Sequence, residues 1–122
     1  MLQDTGGTGH AGRTTTVEAC IDTCLDCLQE CEYCATACLT EDPAMMAECI
    51  RTCRDCADTC SLCAHLLARN SDLQAEICRV CAIACDLCAE ECEQHHNDHC
   101  QRCAQVCRRC ADACRQVTAE QA

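Results

Sequence analysis

Cysteine recurs along this chain at steps that alternate between three and four residues, and it does so in four separate runs. The first run is Cys20, Cys24, Cys27, Cys31, Cys34, Cys38 and the second is Cys49, Cys53, Cys56, Cys60, Cys63. The third is Cys78, Cys81, Cys85, Cys88, Cys92 and the fourth is Cys100, Cys103, Cys107, Cys110, Cys114. A 3-4 alternation keeps one residue type on the inward stripe of a helix packed against neighbours. Four such stripes predict an all-α chain whose helices point their cysteines at a common interior.

The residues between the runs punctuate the helices. Thr14, Thr15 or Thr16 can cap a first helix, and Asp42 before Pro43 reads as N-cap and first helical residue of a second. Ser71 with Gln74 has the form of a capping box for a third, and Asn97 or Asp98 can cap a fourth. The expected helices cover 16–40, 43–69, 72–95 and 98–118. Their links are short, so consecutive helices must run antiparallel. The fold class is an antiparallel up-down-up-down four-helix bundle with a cysteine-lined core. Residues 16–118 form this single domain, and the polar, glycine-rich residues 1–15 form a flexible N-terminal tail. Ile21, Leu25, Leu28, Ile50, Leu62, Leu66, Ile77, Leu87 and Val106 flank the stripes and are expected to seal the seams.

Reflecting each run about its connecting turn stacks the cysteines in five levels. These are Cys20, Cys63, Cys78, Cys114; Cys24, Cys60, Cys81, Cys110; Cys27, Cys56, Cys85, Cys107; Cys31, Cys53, Cys88, Cys103; and Cys34, Cys49, Cys92, Cys100, with Cys38 left over. Levels should be about 5 Å apart, from roughly 3.5 residues at 1.5 Å each. Extending the stripes makes the two ends unlike. Beyond Cys20 lie Val17, Leu67, Val117 and Gln74, an apolar plug. At the other end stand Cys38, Met46, His95 and His96, with Met45 and His99 close by. Thioether and imidazole donors there suit an entrance for a soft metal. The alternative is that the methionines cap the core and the histidines belong to a polar loop. His65 lies off its stripe and reads as a surface residue.

Composition narrows the chemistry. The net charge is -11, which disfavours nucleic acid and anionic membranes as partners. No segment approaches the roughly 20 apolar residues of a membrane span. The start carries no apolar signal region, so the expected location is the cytoplasm. Tyr33 is the sole aromatic residue, so 21 cysteines supply much of the apolar interior. A secreted disulfide scaffold is the usual meaning of such a cysteine fraction. Here neighbouring thiols on one helix have Cβ atoms about 5–6 Å apart, beyond the roughly 3.5–4.5 Å of a bridge. Iron-sulfur loops need tighter, proline-containing turns, and no C-x-x-C-H haem signature is present.

Zinc or cadmium is the serious rival, since four thiols per level resemble a tetrahedral site. Each four-thiolate zinc site carries a net 2- charge, and five of them would bury about ten charges at high cost. Cu(I) takes two or three thiolates, and one thiolate can bridge two ions, so a ladder near one ion per thiolate is almost neutral. Soft sulfur also selects Cu(I), which sets the expected capacity on the order of the cysteine count, about 20 ions. Thiols packed as small hydrophobes should keep the metal-free bundle folded.

From Val17 to Val117 the four cysteine-striped helices, with their repeated C-x-x-x-C and C-x-x-C units and a His/Met-decorated end, resemble the bacterial copper storage proteins, in their cytosolic branch. The resemblance implies Cu(I) storage without catalysis and a homotetramer. A copper chaperone is the second functional reading, with copper chaperones or efflux proteins as exchange partners in either case. A thiol enzyme is the third. It needs one activated cysteine set apart from the others, and none stands apart here.

Overall fold

The computed structural model describes residues 12–121. It contains α1 (Thr15–Cys38), α2 (Pro43–Ala68), α3 (Gln74–Cys92) and α4 (Asp98–Glu120). The helices form a square: α1 packs on α2, α2 on α3, α3 on α4 and α4 on α1, while α2 and α4 meet across the diagonal only through sulfurs such as Cys56 and Cys107 at 3.8 Å. Sulfur contacts fix the directions. Cys20 near the start of α1 meets Cys114 near the end of α4, and Cys34 meets Cys100 at the opposite end. Cys63 meets Cys78, and Cys49 meets Cys92, so α2 and α3 are likewise antiparallel. The expected up-down-up-down bundle is what forms.

The caps explain the helix limits. Thr14 accepts a hydrogen bond from the Val17 amide at 3.1 Å, and Asp42 accepts one from Ala44 at 3.1 Å ahead of Pro43. The capping box expected at Ser71 does not form. Asn70 ends α2 at φ 55, and the Ser71 and Asn70 amides donate back to the Leu66 and Leu67 carbonyls in a Schellman closure. Ser71 Oγ then accepts from the Leu73 amide, so α3 begins at Gln74 rather than at residue 72. Asn97 occupies the N-cap of α4, but its side chain makes no capping bond and donates to Glu41 instead. Of the expected tail, residues 1–11 lie outside the described residues. Residues 13 and 14 are tied down: Arg13 Nη1 donates to the Ala68 carbonyl at 2.7 Å, and the Arg13 guanidinium pairs with Glu18. Thr14 Oγ1 donates to Glu120 at 2.7 Å.

Small residues carry the helix interfaces. Ala35, Ala57, Ala64, Ala82, Ala89, Ala104 and Ala111 are all buried, and each directly follows a cysteine. Leu66, Ile77 and Val106 are also buried, while Ile21, Leu28 and Ile50 pack partly against the core. Leu25, Leu62 and Leu87 do not seal seams as expected but are 45–54% exposed. Alanine takes the sealing place because a thiol is short. Sulfurs from facing helices meet only if the backbones come close, and a leucine in the seam would hold them apart.

Candidate metal centre

Every one of the 21 cysteines is a free thiol with no exposed surface. The sulfurs meet within the expected levels: Cys24 with Cys110 at 3.7 Å, Cys27 with Cys56 and Cys107 at 3.7 Å, and Cys56 with Cys85 at 3.6 Å. Farther along, Cys31 meets Cys103 and Cys53 meets Cys88, both at 3.7 Å. The levels are not separate tiers, however. Cys31 lies 3.8 Å from Cys107 and 3.9 Å from Cys27, and Cys53 lies 3.9 Å from Cys92, each in an adjacent level. Helical side chains lean toward the N-terminus, so in antiparallel neighbours they lean in opposite directions and the tips interleave.

That interleaving shapes the ligand groups. Cys20, Cys63 and Cys114 of one level group with Cys24 of the next, within 4.8 Å of one another. Cys24, Cys81 and Cys110 group with Cys114, and Cys31, Cys88 and Cys103 group with Cys107. Neighbouring groups therefore share sulfurs. Independent tetrahedral sites would compete for the shared thiolates, whereas ions bridged by common thiolates use the same sharing to build a continuous chain.

Protonation follows from burial. Burial, ahead of the neighbouring thiolates, pushes Cys38 and Cys100 above the ordinary thiol range. Where S–H donors surround one sulfur, they stabilise its thiolate: Cys103 and Cys110 are drawn below the ordinary value, chiefly by Cys107 and Cys114 respectively. A thiolate in this core is thus favourable while its neighbours remain thiols. Deprotonating all of them requires cations in the interior.

The two ends carry different side chains. Val17, Leu67, Val117 and Gln74 are all buried at the closed end. There Gln74 Nε2 donates to Asn70 at 2.7 Å and its Oε1 accepts from Gln121 at 3.0 Å. At the opposite end Met46 is buried and Met45 is 67% exposed. His95 and His96 do not continue the cysteine stripe, because α3 stops at Cys92, three residues before the expected limit. His95 folds back to Glu91 at 2.9 Å, and His96 is exposed. His99 takes the place over the thiols. Its Nδ1 lies 3.3 Å from Cys34 Sγ and 3.6 Å from Cys100 Sγ, and its Nε2 lies 2.9 Å from Glu41 Oε2. Burial opposes charge on this imidazole, but Cys34 and Glu41 outweigh it and raise its pKa. The signal was present in the chain: His99 stands four residues before Cys103, the same inward phase as Cys100. His65 is exposed, as its off-stripe position implied.

A family model described as copper storage protein matches residues 13–119. The chain belongs to the copper storage protein family. A cysteine-rich protein of Bacillus subtilis, YhjQ, otherwise uncharacterized, is 44% identical over 90 residues, which is 73% of this chain and 83% of that protein. The solved structure of Cu(I)-bound copper storage protein BsCsp3 superposes with a TM-score of 0.81 at 42% identity, covering 84% of this chain and 98% of the other. The family member Ccsp from Streptomyces lividans, loaded with 10 copper equivalents, superposes at 0.84 with 36% identity, covering 98% and 92%. Among the described residues, no helix is long and apolar enough to cross a membrane.

Proposed function

We propose that this chain stores and buffers Cu(I) on the 21 cysteines of its interior, Cys20 through Cys114, without catalysing a reaction. The observation that carries the reading is the continuous sulfur network, in which overlapping groups share thiols along the bundle. Each monovalent ion offsets one displaced proton, so bridging loads the core without accumulating charge. Family members that hold Cu(I), one of them loaded with 10 copper equivalents, support it.

Further parts of the reading belong to the same proposal. Copper enters and leaves past Met46 and His99, with His95, His96 and Met45 on the rim. Residues 16–118 are the storage domain. The location is the cytoplasm, where thiols are kept reduced. Copies associate, as a tetramer by family resemblance. Val80, Ile83 and Leu87, 51–60% exposed, give them an apolar surface beside a groove of about 310 Å³ between α2 and α3. Copper chaperones or efflux proteins are the exchange partners.

Anaerobic titration of the reduced protein with Cu(I) against a competing chelator tests storage. The expected plateau is about 20 ions. A plateau at one or two ions contradicts storage, and a plateau at five favours separate tetrahedral sites.

A further inference from the structure

Glu41 sits in the turn between α1 and α2, held there by its backbone N–H, which donates to the Cys38 carbonyl at 3.1 Å, and by Asp42 and Pro43 starting α2. Its Oε2 receives two donors from the start of α4: His99 Nε2 at 2.9 Å and Asn97 Nδ2 at 3.0 Å. Its Oε1 is buried and has no hydrogen-bond partner among the described residues. A buried acceptor left unpaired costs stability, so stability alone does not explain this carboxylate. Its geometry toward His99 does. A carboxylate only accepts, so the contact puts the imidazole proton on Nε2 and leaves the Nδ1 lone pair facing Cys34 and Cys100. His95 also pairs with a carboxylate, Glu91, but that pair stays within the C-terminal edge of α3 and its immediate link. Asn97 serves the same end, since its side chain gives up capping α4 to bind Glu41.

We infer that Glu41 is a positioning residue, braced by Asn97, which clamps the His99 ring so that Nδ1 stays presented to ions passing Cys34 and Cys100. The inference rests on the proposed entrance and adds to it the residue that orients its imidazole. Outer partners of this kind change metal affinity or activity about 10–100-fold when removed.

The test uses the full-length protein with Glu41→Ala and Glu41→Gln. In the metal-free proteins, long-range ¹H–¹⁵N correlation of the imidazole nitrogens reads the His99 tautomer. Stopped-flow uptake of chelator-buffered Cu(I) reads the entry rate, and titration reads capacity. Expected are loss of the Nε2–H tautomer preference and about tenfold slower uptake in Glu41→Ala. Glu41→Gln should restore both, because its amide oxygen still accepts from Nε2. An unchanged tautomer in Glu41→Ala overturns the inference. So does a Glu41→Gln protein as slow as Glu41→Ala, which would assign the effect to charge at the mouth. Capacity near the wild-type plateau is expected throughout. If wild type itself holds only one or two ions, the storage reading fails, and the tautomer measurement still decides the role of Glu41.

Discussion

At the scale of single residues, the molecule divides labour between side chains that hold it together and side chains that hold its cargo. A thiol offers one polarizable atom beyond Cβ and little buried area. Leu67 and Val117, both with no exposed surface, are the bulkiest fully buried side chains. Leu67 sits where the cysteine levels end and closes the bundle. Leu67→Ala should therefore lower the stability of the metal-free protein by about 2–5 kcal/mol and leave Cu(I) capacity near wild type. Cys107→Ala should do the reverse. It removes a sulfur shared by neighbouring groups, so the plateau falls, with a smaller stability change than Leu67→Ala. Urea unfolding of the reduced apo-proteins, paired with Cu(I) titration, separates the two effects. Equal stability losses would contradict this division.

The helices show how a seam of small side chains brings short ligands together. Cysteine and the alanine after it occupy the packed face, so the backbones approach until sulfurs meet at 3.6–4.0 Å. Ala111 in α4 has no exposed surface. Ala111→Leu should cost about 1–3 kcal/mol through overpacking, although leucine is the better core former elsewhere and a good helix former. A denaturation midpoint equal to or above wild type would show that the seam has room to spare. The cysteine phase, the level pairing and the apolar end of the bundle were legible in the spacing, because a repeated 3-4 step admits one inward face. What the spacing could not settle is competition among neighbours for the same backbone groups. At Ser71 a Schellman closure by Asn70 wins over a capping box, and α3 starts late. At residues 93–97 the helix gives out after Cys92, which moves His95 and His96 off the stripe and leaves His99 on it. The sealing role given to Leu25, Leu62 and Leu87 failed for a related reason: flanking a stripe in sequence does not say which neighbour the closest helix touches.

For the whole molecule, the interior is a set of coupled titrating groups, and its stability must depend on pH with opposite signs when empty and when full. In the metal-free protein burial pushes Cys38 and Cys100 above their ordinary range, and the lowering of Cys103 and Cys110 lasts only while the neighbouring thiols that donate to them stay protonated. The unfolded chain releases those protons near a pH of about 8.5, while the folded chain keeps them. The unfolded state then binds fewer protons, and stability falls as pH rises. The contribution is fully present below the unfolded value and is lost on the way up toward the folded one. Loading inverts this. Bound ions hold the sulfurs as thiolates, protons compete for them, and metal affinity falls with acid. The expected outcome is an apo-protein whose helical circular dichroism is retained at neutral pH and whose melting temperature drops steadily above about pH 8.5. The Cu(I)-loaded protein should show little change over that alkaline range and should instead release copper as the solution is acidified. Parallel thermal melts of the two forms across pH, with a chelator present on the acid side to register released copper, check both signs. An apo-protein that gained stability above the thiol range would mean that sulfurs drawn below the ordinary value, as at Cys103 and Cys110, outweigh those that burial raises, and a core of mainly neutral thiols would have to be abandoned.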